Sequence, residues 1–209
     1  MRAFICFLLC FSFLSAPIHA SDKAVSLDSV CSGLTEFKVT SGSFVQSRQA
    51  PGLKRPLKSS GSFVICDKGI AWKTLKPISS VLAVSRDKII QTTPDGRKNV
   101  IDGSGNQTFK NIAETLATVF SGDRSALEKN FRVSFSSDGN SWTINLVPKD
   151  STIASAIKAI DMAGTSGYES FIDSVSIQEK DGAYIEYSFS EQVHGNSLSN
   201  DEKAYFSVE

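Results

Sequence analysis

The 209-residue chain is poor in the side chains that usually carry chemistry, with two histidines, four cysteines and two methionines. It has no surplus of either charge, 22 Lys plus Arg against 22 Asp plus Glu, and no long uniformly apolar run after Leu14. Each scarcity excludes something. A balanced charge supplies no field to recruit nucleic acid. His194 is the only histidine beyond residue 20, so a Ser-His-Asp arrangement would depend on it alone. Its Gly- and Asn-containing surroundings read as a solvent-exposed loop. Two cysteines and one histidine cannot complete four N/S zinc ligands without carboxylates, so neither a metal nor a cofactor is expected. Gly103-Ser104-Gly105 lacks the remaining residues of a phosphate cradle and reads as a turn. Asp173 reads as a solvent-facing strand residue, and spacing places no carboxylate pair for acid–base work. The expectation is a protein that is not an enzyme.

What is present begins with an export signal. Arg2 precedes a nearly unbroken apolar run from Ala3 to Leu14, followed by small residues ending at Ala20. The run is well short of the ~20 residues that cross a bilayer as a helix. Cys10 lies inside it without the small residues of a lipidation box. Residues 1–20 are therefore expected to be a cleaved signal peptide, and residues 21–209 a single soluble domain outside the cytoplasm. Loss of Arg2 leaves 21 basic against 22 acidic side chains, a net charge of −1. Two cysteines leave with the signal. Cys31 and Cys66 remain in a compartment where disulfides persist, and a bond between them is expected, the alternative being two buried free thiols. Closing a loop of that length would contribute about 3 to 4.7 kcal/mol on the entropic model.

Along the mature chain, Leu27, Val30, Cys31, Leu34 and Phe37 recur at helical spacing and predict a first helix. Short β-type segments follow at 38–49, 58–66, 70–75, 78–84 and 88–93, separated by Gly, Pro and Asp turns. A three-residue turn over Asp67-Lys68-Gly69 predicts Cys66 opposite Ile70 and Val64 opposite Trp72, all four on one face. Phe109, Ile112, Ala113, Leu116, Val119 and Phe120 form a helical stripe. A helical turn at 124–130 comes next, then strands at 131–137, 141–148, 157–163, 170–178 and 183–190, with a brief helix at 150–156 capped by Asp150 or Ser151. Lys54, Arg55 and Lys58, around Pro51 and Pro56, form a basic cluster that reads as a solvated loop. The fold class is mainly β with α, a large, strongly bent antiparallel sheet with a few helices.

Several strands are apolar on both faces, as in Phe63 and Ile65 against Val64 and Cys66. Periodicity leaves two readings open: helices on one face with edge contacts on the other, or a curved sheet enclosing an apolar cavity.

Phe44-Val45-Gln46, Gly61-Ser62-Phe63, Trp72 followed by Pro77, and Leu82-Ala83-Val84-Ser85 before Ile89 occur in an order that resembles the LolA family of periplasmic outer-membrane lipoprotein carriers. Asp181-Gly182, Phe189 and Leu198-Ser199-Asn200-Asp201-Glu202 before Phe206 extend the resemblance over about residues 36 to 206. It implies an unclosed antiparallel β-barrel with helices covering the concave apolar face, and acyl chains held between. The candidate acyl-cavity residues are then Trp72, Leu82 and Val84 on strands, Ile112, Leu116 and Phe120 on the covering helix, and Trp142 with Ile144 opposite; ordinary core packing is the alternative for each. The implied partners are an acylated cargo (lipoprotein or other lipid), an inner-membrane exporter and an outer-membrane acceptor, with the carrier itself a monomer. The alternative function is a periplasmic protein–protein interaction module without lipid cargo. One departure stands out: the family's lid-bonding arginine has no counterpart between Arg55 and Arg86, where Cys66, Asp67 and Lys68 stand instead. Lys68 lacks the planar multi-donor geometry of a guanidinium.

Overall fold

A computed structural model describes residues 25–85, 88–102, 120 and 122–208. The export signal and the helical stripe with Ile112 and Leu116 lie outside the described residues. In chain order the described elements are α1 (Leu27–Thr35), β1 (Val39–Gln49), β2 (Leu57–Cys66), β3 (Gly69–Lys76), β4 (Ser80–Val84), β5 (Lys88–Thr92) and β6 (Lys98–Asp102). They continue with α2 (Arg124–Asn130), β7 (Phe131–Asp138), β8 (Ser141–Pro148), α3 (Ser151–Ala156), β9 (Ile157–Ser166), β10 (Ser170–Glu179), β11 (Tyr184–Gly195) and α4 (Asn200–Tyr205). The eleven strands form one antiparallel sheet in the order β6-β5-β4-β3-β2-β1-β11-β10-β9-β8-β7. The sheet is not closed: β6 and β7 are its two edges. This is the mainly β, unclosed architecture that the resemblance implied.

Helix ends follow local chemistry. Ser26 and Ser29 form a capping box on α1, Asp123 caps α2, Asp150 caps α3, and Ser199 with Glu202 boxes α4. Arg124 ties α2 back to α1 through Asp28 and also bonds Glu128 within its own helix.

The sheet buries both faces along β1 to β3. The inner face carries the main core, with Val30, Phe44, Phe63, Ile70, Trp142, Ile144 and Ile160 among its buried members. On the outer face a second cluster of Val39, Val64, Ala71, Ala83 and Ile90 is covered by Phe206, with Leu198 and Tyr205 packed beside it. The two-faced apolar strands are thereby explained: Phe206, Leu198 and Tyr205 cover one face, and Val30 and Cys31 of α1 with Phe120 and Leu127 pack on the other.

Two expectations are corrected here. The β2–β3 hairpin turns on two residues, Asp67 and Lys68, so Cys66 faces Gly69, Ile65 faces Ile70 and Phe63 faces Trp72. A one-residue slip moves every side chain to the opposite face. Trp72 and Ile70 therefore join Phe63 and Ile65 inside, while Val64 and Cys66 point outward. Gly69 permits the tight turn, since its φ of +133° and the nearby Val84 carbonyl leave no room for a Cβ.

The second correction concerns the thiols. Cys31 and Cys66 are free, and no bond joins them. Cys31 packs in the inner core from α1, whereas Cys66 packs against the outer cluster from the end of β2. The two side chains thus belong to different clusters, one on each face of the sheet. Burial pushes the Cys31 thiol up to about 11 and raises the Cys66 thiol too, but Cys31 is only 5% exposed whereas Cys66 is half-buried and more accessible. Alkylation of the native protein at pH 8 should modify Cys66 well before Cys31. After unfolding without reductant both should react, as intact-mass analysis would show; a chain two hydrogens lighter with no alkylation would contradict it.

Candidate functional site

A cavity of about 240 Å³ opens at the end of the sheet where β1 and β10 begin and β2 and β11 finish. Its wall is apolar: Leu34 and Phe37 from the end of α1 and beyond, Phe63 and Ile65 from β2, Ile172 from β10, Phe189 from β11, and Phe120. Its polar lining comes from Lys38, Thr40, Asp67, Ser170, Gln192 and His194, with Cys66 and Thr35 beside them.

A bulge builds half of this site. Phe44 pairs with Phe189 and Thr40 with His194, yet between them Ser43 faces Ser190 and Ser41 faces Val193. Gly42 on β1 is thus opposed by both Glu191 and Gln192, the two-against-one count of a β-bulge. Glu191 takes the strain, with φ of 53°, and accepts a 2.7 Å hydrogen bond from Ser43 Oγ. The extra residue flips the parity of β11. Tyr187 and Phe189 face inward before it, Gln192 and His194 after it, and Val193 is left 63% exposed.

His194 is accordingly a strand residue set in the cavity wall, in place of the solvent-exposed loop histidine expected. Its ring stacks between Phe37, at 4.3 Å and 3°, and Phe171, at 4.6 Å and 6°. Nε2 lies 3.3 Å from the Ser170 carbonyl, which can only accept, so Nε2 donates. Nδ1 then accepts from the Thr40 hydroxyl at 2.9 Å. Gln192 donates to the Ile172 carbonyl at 2.9 Å. Both ring nitrogens are occupied and the side chain links β1, β10 and β11, a structural placement with no free base to offer a substrate.

Behind the cavity an aromatic row runs along the inner face. Phe63 meets Phe189 edge-on at 4.9 Å, and Phe120 meets Phe189 at 6.0 Å and Trp72 at 5.7 Å. Tyr187 stands beside Trp72 at 6.3 Å, and burial raises its phenol above the ordinary range. Among the described residues the buried indole nitrogens of Trp72 and Trp142 have no hydrogen-bond partner, an arrangement that costs about 1–3 kcal/mol per group.

Of the eight candidate cavity residues, Phe120 lines this space. Trp72 lies one aromatic layer behind it, paired across the ladder with Leu82, which is 39% exposed. Val84 is buried in a small cluster with Trp72 and Ile89. Trp142 and Ile144, each 1% exposed, belong to the solid core. Ile112 and Leu116 lie outside the described residues. Sequence reasoning missed Phe63, Ile65, Ile172 and Phe189. The two-residue hairpin turn would have placed the first two beside Trp72, whereas nothing in the residue pattern announced the bulge.

Residues 19–182 match the family model described as outer membrane lipoprotein carrier protein LolA-like. Among solved structures, the chain is similar to a DUF1329 family protein of Desulfovibrio piger at 11% identity and a TM-score of 0.47, covering 87% of this chain and 95% of that one. It is similar also to a LolA superfamily protein of Nitrosomonas europaea, at 8% identity and a TM-score of 0.42 over 85% and 97% of the two chains. Lipoprotein LppX of Mycobacterium tuberculosis matches at 8% identity and a TM-score of 0.42, over 83% and 96%. No curated protein sequence matches the chain.

Proposed function

The chain belongs to the LolA-like family of outer membrane lipoprotein carrier proteins, and on that premise we propose that it is a periplasmic carrier. It holds an acyl chain of a lipoprotein or other lipid in the cavity and takes it from an inner-membrane exporter to an outer-membrane acceptor. The observation that carries this reading is the cavity's makeup, aromatic and aliphatic walls with a polar lining of hydroxyls, an amide and a single pair of opposite charges. Such a site removes methylenes from water and leaves a polar headgroup near its own kind.

The magnitude suits a carrier. At about 30 Å³ per methylene-sized unit the cavity holds at least about eight, worth roughly 6 kcal/mol at ~0.8 kcal/mol each. That corresponds to a dissociation constant of roughly tens of micromolar for one chain, tight enough to load and loose enough to release without covalent chemistry. The reading therefore assigns no catalytic step.

Lipid extracted from the protein purified out of the periplasm should contain an acylated molecule in near-stoichiometric amount by mass spectrometry. A fluorescent acyl ester should bind once that lipid is removed. Protein with no lipid and no binding of the ester would sink the proposal. A second reading rests on the edge strand β6, where Val100 and Ile101 are 38% and 46% exposed: an interaction module that adds a partner's strand there. A partner retained by protein whose cavity is disabled would favour that reading.

A further inference from the structure

Two connections at the end of the sheet remote from the cavity combine apolar exposure with positive charge that no ion pair among the described residues neutralises. Residues 50–56 join β1 to β2, and residues 77–79 join β3 to β4. Because β2 pairs with β3, with Ser60 opposite Lys76, the two connections lie side by side. Every residue from Pro51 to Lys58 and from Leu75 to Ser79 is exposed. Among them Leu57, Leu75 and Ile78 are 60%, 54% and 67% exposed. Leu75 stands in a break of register: Gly61 faces Thr74 and Ser60 faces Lys76, so Leu75 is the extra residue of a bulge. Such an irregularity re-aims a side chain away from the ladder.

Lys54, Arg55, Lys58 and Lys76 share this surface, and segments 50–60 and 73–80 contain no acidic residue. None of the four forms an ion pair among the described residues. Nearby cations differ. Arg48 is paired with Glu179 at 2.9 Å, Arg97 with Asp95 at 2.6 Å, and Lys73 lies 5.9 Å over the Tyr205 ring. A single exposed leucine needs no explanation. Three large aliphatic side chains interleaved with four free cations are another matter. They match an anionic lipid surface, where cations meet headgroups and aliphatic tips enter the interface.

We propose that this end of the sheet docks on an anionic bilayer. β1 runs from Val39 near the cavity mouth to Gln49 at the docking end, eleven residues and roughly 33 Å. The docked molecule therefore holds its cavity mouth away from the bilayer. The docking does not depend on the cavity's holding lipid, and its test separates the two.

The full mature protein would be sedimented with phosphatidylglycerol–phosphatidylcholine vesicles and with phosphatidylcholine vesicles alone. Binding is expected to the anionic vesicles only, and to be lost at about 0.5 M salt. Lys54→Ser/Arg55→Ser/Lys58→Ser should weaken it by roughly a hundredfold, at about fivefold per charge. Leu75→Ser/Ile78→Ser should weaken it by about tenfold. Both variants should melt like the wild type and bind the acyl ester unchanged, whereas Ile65→Glu in the cavity wall should dock normally. Equal binding to neutral vesicles, anionic binding indifferent to both surface variants, or a photocrosslinker at Ile78 capturing a polypeptide with no vesicle binding would each overturn the proposal.

Discussion

Ile65→Glu is expected to lower affinity for a neutral fluorescent acyl ester by on the order of a hundredfold or more. Ile65 lines the cavity from β2 and is only partly buried, so an empty cavity leaves the new carboxylate in contact with water. An acyl chain entering the cavity would strip that water away, and desolvating an unpaired charge costs several kcal/mol. Binding should recover as pH falls and the carboxylate becomes neutral, a signature that simple misfolding would not show. Ile65→Leu, which keeps the volume, should bind within severalfold of the wild type. An Ile65→Glu protein that melts normally and still binds the ester would remove the cavity from the mechanism.

Gly42→Val should have the largest effect on stability. A Cβ at Gly42 would stand 2.8 Å from the Ser190 carbonyl, 2.9 Å from the Phe63 ring and 3.2 Å from the Gln192 Cα. Two of those contacts are backbone, so the bulge itself must shift. Overpacking of this kind costs about 3 kcal/mol, or roughly 6–12 °C in melting temperature for a domain of this size. Because Phe63 and Gln192 both line the cavity, acyl binding should fall as well. Gly195→Val is the control: nothing lies within 4 Å of its Cβ position. A Gly42→Val protein melting within about 2 °C of that control would show that the bulge tolerates a side chain.

These two residues mark where sequence reading succeeds and where it stops. Ten of the eleven strands and the helices α1, α2 and α3 follow from alternation, helical spacing, turn residues and caps; Asp150, for example, announces α3. β6 was missed because Lys98, Asn99 and Asp102 surround Val100 and Ile101, leaving no alternation to count in an edge strand. α4 was missed although Ser199 and Glu202 spell a capping box. Facing was harder than existence. Choosing a three-residue turn over Asp67 to Gly69 inverted β2 against β3 and hid Phe63 and Ile65, although both residues were in plain view. His194 was misread for a different reason. Its inward position depends on the extra residue of the bulge, and on ring stacking with Phe37 and Phe171, which are distant in the chain. Cys31 and Cys66 show the limit of compartment arguments, since an oxidising location permits a bond only where geometry brings the sulfurs together.

The missing pairing between β6 and β7 has a mechanical meaning. A closed barrel is a hoop, and widening it requires a ladder of hydrogen bonds to break. Among the described residues the eleven strands leave β6 and β7 unpaired with each other, so widening the interior would break no ladder between those two strands. On the carrier reading proposed above, the girth of the interior would follow that of its cargo.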